Sequence, residues 1–568
     1  MLYIHTGSDV SGNRMRNCLI AEFRCLKESH KIIIMMCTLP VFEIIYLIRR
    51  SVLQDNNSNI QLFDIISDFW GMAGLWSFLI LLFMYIYYRH TSSDGWKEVV
   101  SGIYKGLLFD REEILMGIFL IYLAICSIVS VLSLICTMRY FGVNDKTADM
   151  ALCRMVLIWQ LLPGIFSLLM GMIAATLKKT EHQVVALIVI FYIFYGGFSR
   201  FLQMVSVSKT VFTIAKLFSI FPVGTDRNPD FYYPFQLEFI HIIKCGIWIF
   251  AAYILFLTIV KTTKKKYIIS VVMFIVTVAA YLAPDSTPCY ASLAPYGAWN
   301  EDYMFYIPHL RSTDYDGAAQ FEEEADFMVY QYDMNIIIDR DMKVDADLFI
   351  SETPDDEYRF TLYHGFDVIE VTDGEGERLQ YVRDGDYISV IPLEGKKISK
   401  LSIRYRGGSS RFYATSCAVF LPAWFAYYPI PGYRKIMDTE THEYIKNEGY
   451  EADYHISITS PVMIKSQLQE SDMVDATYNF IGHSAGPTLI GSLFIDEITV
   501  NPEIRVIFSR MEYSERDIIH KFEEMSPDQR NELMGKVVIA HPNIGMTGWG
   551  YKDNHHYIAY LLDVETCK

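Results

Sequence analysis

The stretch "ATYNFIGHSAGPTLIG", residues 476–491, contains Gly482, His483, Ser484, Ala485 and Gly486. This is the Gly-x-Ser-x-Gly spacing that sets a nucleophilic serine on a sharp strand-to-helix turn in serine hydrolases. The chemistry needs an acid and an imidazole downstream, and Asp517 or Asp528 with His541, His555 or His556 supply the residue types. It also needs a parallel sheet with crossover helices before the serine. Alternating strands and hairpin turns precede Ser484 instead, so the favoured expectation is a structural turn in which Gly482 and Gly486 supply positive φ. Hydrolysis at Ser484 stays as an alternative. The pair His555-His556 invites a metal, but neighbours on a strand face opposite ways. With no matching carboxylate set evident in the sequence, a surface loop is expected there.

The elements that would have to position these residues are not those of an ordinary soluble enzyme. The 568 residues are 52% apolar with a mean hydropathy of +0.20, which points to a part that sits in lipid. The net charge of −17 is unevenly spread: residues 285–568 hold about 24 Lys and Arg against about 48 Asp and Glu, whereas residues 1–284 are mildly basic. The ten cysteines form no Cys-x-x-Cys pair and no dense framework, so neither a zinc ribbon nor a disulfide-stapled domain is indicated. Cys289, Cys417 and Cys567 are the three in the acidic half, and a disulfide among them is left open.

Crossing a hydrocarbon core of about 30 Å takes roughly 20 helical residues. Apolar stretches of this kind predict spans at Ile32 to Ile48, Phe69 to Tyr88, Ile114 to Met138, Met155 to Leu177, Val184 to Met204 and Phe239 to Val260. A seventh, Tyr267 to Leu282, is short but flanked by Lys264, Lys265 and Lys266, which can snorkel, and by Pro284. The first stretch lacks a small-residue cleavage site and is read as a retained span, not a signal peptide. Short loops richer in Lys and Arg are cytoplasmic, which puts the N-terminus inside, the 261–266 cluster inside and the acidic half outside the cell membrane. Pro163-Gly164 and Gly196-Gly197 are candidate bends, with helix packing between small residues explaining the glycines equally well, and Arg200, Gln203, His241 and Lys244 are expected to snorkel at outer membrane ends, with a substrate path as the sharper alternative.

Two amphipathic segments flank the early spans. Residues 1–31 place Leu19, Ile20, Phe23 and Leu26 on one helical face beside Arg16, Arg24 and Lys27, as an interfacial helix would. Between spans two and three, Trp96, Val99, Val100, Ile103, Leu107 and Leu108 recur at helical spacing after Ser93 or Asp94 as N-cap.

With the elbow-like helix at Arg14 to Lys31, the helix at Trp96 to Leu108 and the long outer segment Val205 to Glu238, residues up to about 262 resemble the permease subunit of a six-span ABC exporter of the drug- and lantibiotic-export type. The resemblance implies that Trp96, Val99, Val100, Ile103 and Leu107 form the coupling helix for an ATPase. The chain lacks a Gly-x-x-x-x-Gly-Lys-Ser/Thr loop, so that ATPase is expected as a separate P-loop subunit, working on a dimeric membrane core.

From about Tyr330 the period becomes two. "MNIIIDRDMKVDADLFIS", "YRFTLYHGFDVIEVTD", "DYISVIP", "KLSIRYRGG", "DYHISITSP", "ATYNFIG" and "IRVIFS" are rich in β-branched and aromatic residues and bounded by Gly and Pro, which predicts an antiparallel sandwich or saddle. Leu401, Ile403, Tyr405 and Gly407 before "LPAWFAYYPIPGY", then Tyr454 to Pro461 and Thr477 to Phe480, resemble the N-terminal β-domain of the aminopeptidase N family of gluzincins over about Asp333 to Ser509. The family's zinc motif is His-Glu-x-x-His. The nearest string here is His442-Glu443-Tyr444-Ile445-Lys446, and "GMTGWG" at Gly545 to Gly550 lacks the family's Gly-x-Met-Glu-Asn loop. A non-catalytic domain without metal or cofactor is therefore expected.

The resulting expectation is a membrane all-α part of about seven transmembrane helices followed by an extracytoplasmic, mostly antiparallel β-domain with a small α/β tail. The boundaries are a cytoplasmic helix at 1–31, a permease domain at 32–284, a linker at 285–329, the β-domain at 330–512 and the tail at 513–568. Ser514 with Asp517, and Ser526 before Pro527, are read as helix starts in the tail, and "GKVVIAHP" as a strand. Trp424, Phe425, Tyr427 and Tyr428 form the candidate outer contact surface, since Trp and Tyr give large contact area at low entropy cost, with a buried plug as the alternative. Function is expected to be that of a multi-pass permease exporting, or conferring resistance to, a peptide-like or amphiphilic substrate, with no nucleic-acid partner. A membrane-anchored sensor with a ligand-binding β-domain is the other reading.

Overall fold

Two unlike architectures follow one another along the chain. The computed structural model describes residues 62–91, 111–140, 146–195, 239–260, 264–283, 301–306, 320–339, 341–351, 357–392, 397–409, 411–441, 443–447, 449–474, 476–540 and 550–559, with isolated positions such as Pro40 and Tyr232 between them. The amphipathic segment before span one, nearly all of that span, the helix expected at Trp96, Val99, Val100, Ile103 and Leu107, most of Val205 to Glu238, Arg200, Gln203, Gly196-Gly197, His442, Cys289 and Cys567 lie outside the described residues.

The first half is helical: α1 (Leu62–Thr91), α2 (Arg111–Tyr140), α3 (Lys146–Val156), a π-turn (Leu157–Leu161), α4 (Leu162–Ala175), α5 (Thr180–Phe194), α6 (Phe239–Val260) and α7 (Lys264–Leu282). Five stretches among the described residues are long and apolar enough to cross a membrane: Gly71–His90, Glu112–Tyr140, Ala148–Ala175, Phe239–Val260 and Lys264–Leu282. Of the expected span Val184 to Met204 the structure describes α5, which has 15 residues; most of residues 196–204 lie outside the described residues. Helix α2 leaves Ile121, Ile125, Ile128 and Leu132 more than half exposed; at this spacing they make one apolar stripe, and a stripe of that kind turned outward suits lipid far better than water.

At Pro163, where a bend is expected, the helix changes its hydrogen-bonding pattern. Lacking an N–H, a proline leaves the carbonyl one turn earlier unpaired, and here the ladder widens into the π-turn Leu157–Leu161 immediately before it. Helices α1 and α4 approach closely at Gly171, where an added Cβ would stand 2.6 Å from the Leu81 carbonyl oxygen and 3.1 Å from Tyr85 N. Small residues at such crossings allow backbones to touch.

Successive helices run in alternating directions. Ile66 and Phe69 near the start of α1, Leu134 and Met138 near the end of α2, and Leu152, Met155 and Trp159 join one hydrophobic core with the β half. At the far end Arg89 of α1 donates to Thr180 at the start of α5, 3.1 Å, and Lys266 of α7 pairs with Glu113 of α2. His241 and Lys244 of α6 are buried, with the His241 ring 5.2 Å from that of Trp159. This corrects the snorkelling expectation: α6 turns them toward its neighbours, not to the membrane surface.

The short helix α8 (Glu301–Tyr306) leads into the β half. Its largest sheet has the order β12 (Gln469–Val474), β13 (Thr477–Ser484), β10 (Ala452–Thr459), β1 (Val329–Ile338), β2 (Met342–Ile350), β7 (Lys400–Gly407) and β4 (Phe366–Asp373). All pairs are antiparallel except β1 with β10. A second sheet holds β5 (Gln380–Asp384), β6 (Tyr387–Ile391), β3 (Tyr358–Thr361) and β9 (Ile430–Pro431), and a third holds β11 (Met463–Ser466), β14 (Leu489–Ser492) and β8 (Ala418–Leu421). Alternation works as expected: Tyr332, Met334, Ile336 and Ile338 are buried along β1, and the intervening side chains form the sheet's other face.

The tail sheet has the order β15 (Ile495–Asn501), β16 (Ile504–Ser509), β17 (Val537–Ala540), β19 (His556–Ala559) and β18 (Tyr551–Lys552). It therefore takes in strands from before residue 513, where the sequence places the boundary, because β16 pairs in parallel with β17. Helices α9 (Glu515–Glu524) and α10 (Pro527–Leu533) start at Ser514 and Ser526 with complete capping boxes, as expected. Tyr232, from the segment between α5 and α6, is fully buried in this half: its hydroxyl donates to the Ala540 carbonyl at 3.0 Å, and its backbone carbonyl accepts from Ser492 Oγ at 2.6 Å.

Candidate functional site

Ser484 is the last residue of β13 and has no exposed surface. Its Oγ donates to the Gly486 carbonyl at 3.0 Å and accepts from Gln467 Nε2 at 3.2 Å, and the same Gln467 amide donates to Gly486 O at 2.7 Å. The hydroxyl is thus held in a closed hydrogen-bonded loop. The expected role of the flanking glycines is corrected as well. Neither has a positive φ; Gly486 is required by close approach, since a Cβ there would lie 2.6 Å from Tyr428 Oη and 2.9 Å from the Ala423 carbonyl. Ser484→Ala is expected to destabilise the protein by about 1–2 kcal/mol through the lost hydrogen bonds and to leave labelling by a serine-reactive fluorophosphonate unchanged. Labelling of the wild type that disappears in the variant would restore the hydrolase reading.

The residue types of a triad do meet elsewhere. His556 accepts or donates at 2.8 Å to Thr488 Oγ1 through Nε2 and lies 3.1 Å from Asp553 Oδ1 through Nδ1. Thr488 and His556 have no exposed surface, and Thr488 Oγ1 also accepts the Ala423 N–H at 3.0 Å. Burial is the largest single influence on the Asp553 carboxyl and would raise it, but the hydrogen bond and charge of His556 together with the backbone N–H groups of His555 and His556 outweigh it and hold the carboxyl below the usual aspartate range. The set clamps the tail sheet to the third sheet. His556 is accordingly a buried strand residue and not the surface-loop residue expected.

The expected outer contact surface is also corrected. Trp424, Phe425, Tyr427 and Tyr428 are each at most 4% exposed. Phe425 packs on Phe412 with ring centroids 4.1 Å apart, Tyr405 donates to the Tyr427 carbonyl at 2.9 Å, and Tyr427 donates to the Pro487 carbonyl at 2.7 Å. The segment is the plug between sheets, because its many large rings gain more by removal from water than any surface position offers. Cys417, in the loop before it, is buried.

A second buried polar cluster anchors α8. Asp302 accepts from the hydroxyls of Tyr363 and Tyr444, His364 Nδ1 lies 3.1 Å from Asp386 Oδ1, and the His364 ring stacks on Phe305 at 3.7 Å. Burial and then the carboxylate charges push the Tyr363 and Tyr306 hydroxyls well above the usual tyrosine range.

A groove of about 460 Å³ lies open to solvent across the polar face of the large sheet, a volume in the range of small-ligand sites. Cross-strand register builds it: Asp333 on β1 is opposite His455 on β10 and Asp347 on β2, and Asn335 is opposite Ser457 and Asp345. His455 Nδ1 is 2.9 Å from Asp333 Oδ1, Arg404 Nε donates to Asp345 at 2.6 Å, and Lys400 donates to Asp347 at 2.7 Å. Three aspartates line the floor, so it is suited to amine and amide donors. The alternation in "MKVDADLFI" already put Asp345 and Asp347 on one face; the parallel partner strand that brings His455 beside them had no signature in the sequence.

No family model matches this sequence, and no curated protein matches it. Among solved structures, the native leukotriene A4 hydrolase of Saccharomyces cerevisiae is similar with 14% identity and a TM-score of 0.31, over 44% of this chain and 43% of that one. An M1 zinc metallopeptidase from Deinococcus radiodurans is similar with 11% identity and a TM-score of 0.29, over 44% of this chain and 64% of that one. The chain thus spans less than two thirds of either enzyme's length, and the likeness is a distant one of fold.

Proposed function

We propose that this chain is the membrane permease subunit of an ABC transporter, exporting or conferring resistance to a peptide-like or amphiphilic substrate while a separate P-loop subunit hydrolyses ATP. The supporting observation is the alternation of the long apolar helices, which gathers Arg89, Lys264, Lys265 and Lys266 at the bundle end remote from the β half. Basic ends of this kind face the cytoplasm, so on this reading the β half is extracytoplasmic. The close α1–α4 contact at Gly171 then makes a rigid block, suited to rigid-body motion within a dimeric core. Trp96, Val99, Val100, Ile103 and Leu107 supply the contact to the ATPase.

The test is gentle solubilisation from the native membrane, purification of this chain and identification by mass spectrometry of what accompanies it. A stoichiometric P-loop ATPase, lost when Val99, Val100 and Ile103 are replaced by Asp, is the expected result. Purification without any such subunit would overturn the proposal.

The groove favours a second reading, a membrane-anchored sensor whose β half binds ligand. It predicts binding of small cationic peptides by the full chain without any ATPase, weakened about tenfold or more by Asp345→Asn with Asp347→Asn. Loss of one charge-assisted hydrogen bond, about 1.5–3 kcal/mol, sets that scale.

A further inference from the structure

The three aspartates that line the groove are held by partners of two kinds. Lys400 Nζ lies 2.7 Å from Asp347, and Arg404 Nε donates to Asp345 at 2.6 Å. Lysine and arginine keep their charge throughout the interval from about pH 5 to 8. Asp333 is held instead by His455, whose Nδ1 is 2.9 Å from its Oδ1, and by the Gln331 amide, which donates to the same oxygen at 2.8 Å. Histidine is the side chain that gains or loses its charge in that interval. We infer that His455 is a proton-operated gate on the groove: neutral, it leaves Asp333 to a ligand's cation, and protonated, it takes that carboxylate for itself. The inference rests on the reading of the groove as a site for cationic peptides and adds the regulation of that site.

Register isolates the pair. His455 on β10 stands beside Asp333 in the parallel ladder with β1, and its neighbour on β13 is Ile481, which carries no charge. Two residues back along β10, on the same face, Asp453 lies 2.8 Å from His483 Nδ1. Glu451 follows at the end of the face, 3.4 Å from His483 Nε2 and 3.1 Å from His555 Nε2. On the other side of β1, β2 brings Asp345 and Asp347 with their fixed cations from β7, and Glu370 of β4 pairs with Arg404 and Arg378. The charge that the groove offers a ligand is therefore decided at His455. Three lining carboxylates against the two fixed cations Lys400 and Arg404 leave one negative charge while His455 is neutral, and none once it is protonated.

The competition is open to a ligand because neither member of the pair is enclosed: the side chains of His455 and Asp333 are 47% and 39% exposed. A ligand ammonium makes a charge-assisted hydrogen bond to Asp333, stronger than the neutral one an uncharged imidazole makes. Against an imidazolium it meets a bond of its own kind, already made within the protein, and has no such advantage. Protonation of His483 and His555 acts in the same direction on Asp453 and Glu451, so variants and not pH alone identify His455 as the gate.

The test uses the full chain in detergent and the peptide acetyl-Lys-Lys-Lys-amide, whose charge is constant from about pH 5 to 8. Its Kd is measured at both ends of that interval. Binding about tenfold weaker at pH 5 than at pH 8 is expected for the wild type, the scale set by one charge-assisted hydrogen bond. His455→Gln, which takes up no proton, should bring the ratio of the two Kd values close to one, and His455→Lys should weaken binding at pH 8 to near the wild-type level at pH 5. His520→Gln, in a histidine of α9 that does not line the groove, should keep the tenfold ratio. Unchanged circular dichroism would show that the variants fold. Equal Kd values for the wild type at both pH values, or a tenfold ratio retained in His455→Gln, would overturn the gate and leave the peptide reading in place. No binding at either pH would overturn both.

Discussion

Raising the pH through about 10 to 11 is expected to unfold the β half in a single steep step. Burial, ahead of any other cause, raises the hydroxyls of Tyr306, Tyr332, Tyr363, Tyr405, Tyr427, Tyr428 and Tyr454 above the usual tyrosine range. Because the folded values lie above the unfolded value of about 10, the folded state retains protons that the unfolded chain gives up. The stabilising contribution is fully present below about pH 10 and is lost as pH climbs above it. Each such tyrosine removes about 1.4 kcal/mol per pH unit. Seven acting together remove on the order of 10 kcal/mol per unit, comparable with the whole stability of a domain. Tyrosinate absorbance and far-ultraviolet circular dichroism, followed together, should show the buried set ionising only as the strand signal collapses. Gradual ionisation of all the tyrosines with the strands intact would contradict it.

Phe425→Ala is expected to cost about 3–5 kcal/mol, the range for truncating a buried aromatic ring. Phe425 is 1% exposed and lies against Phe412 and Tyr363, with centroids 4.1 and 5.0 Å away. The Tyr363 ring is itself tied through its hydroxyl to the buried Asp302, so the cavity cannot readily collapse. Denaturant or thermal midpoints of the full chain measure this, with Tyr330→Ala as comparison, since Tyr330 is 47% exposed and a surface change stays within about 0.5 kcal/mol. Equal midpoints for the two variants, with partner binding lost only in Phe425→Ala, would instead mark residues 423–433 as a contact surface.

Periodicity by itself determined the two-part architecture of this protein. Runs of apolar residues near bilayer length marked the helices, and α6 matches its expected span end to end at Phe239–Val260. Alternation marked the strands, and Ser514 with Asp517 and Ser526 before Pro527 announced α9 and α10 through local capping, which is written in adjacent residues. What the tertiary structure alone decided concerns partners distant in sequence. Whether "LPAWFAYYPIPGY" faces water or lies between sheets depends on which strands cover it, and whether Ser484 is a nucleophile depends on Gln467 and Gly486 closing around it. His483 and His555 are 72 residues apart in numbering, and neither carries a local sign of the other. They meet at Glu451 because β10 pairs with β13 and the tail sheet folds back beside them, a juxtaposition set by strand pairing and burial together and not by local sequence.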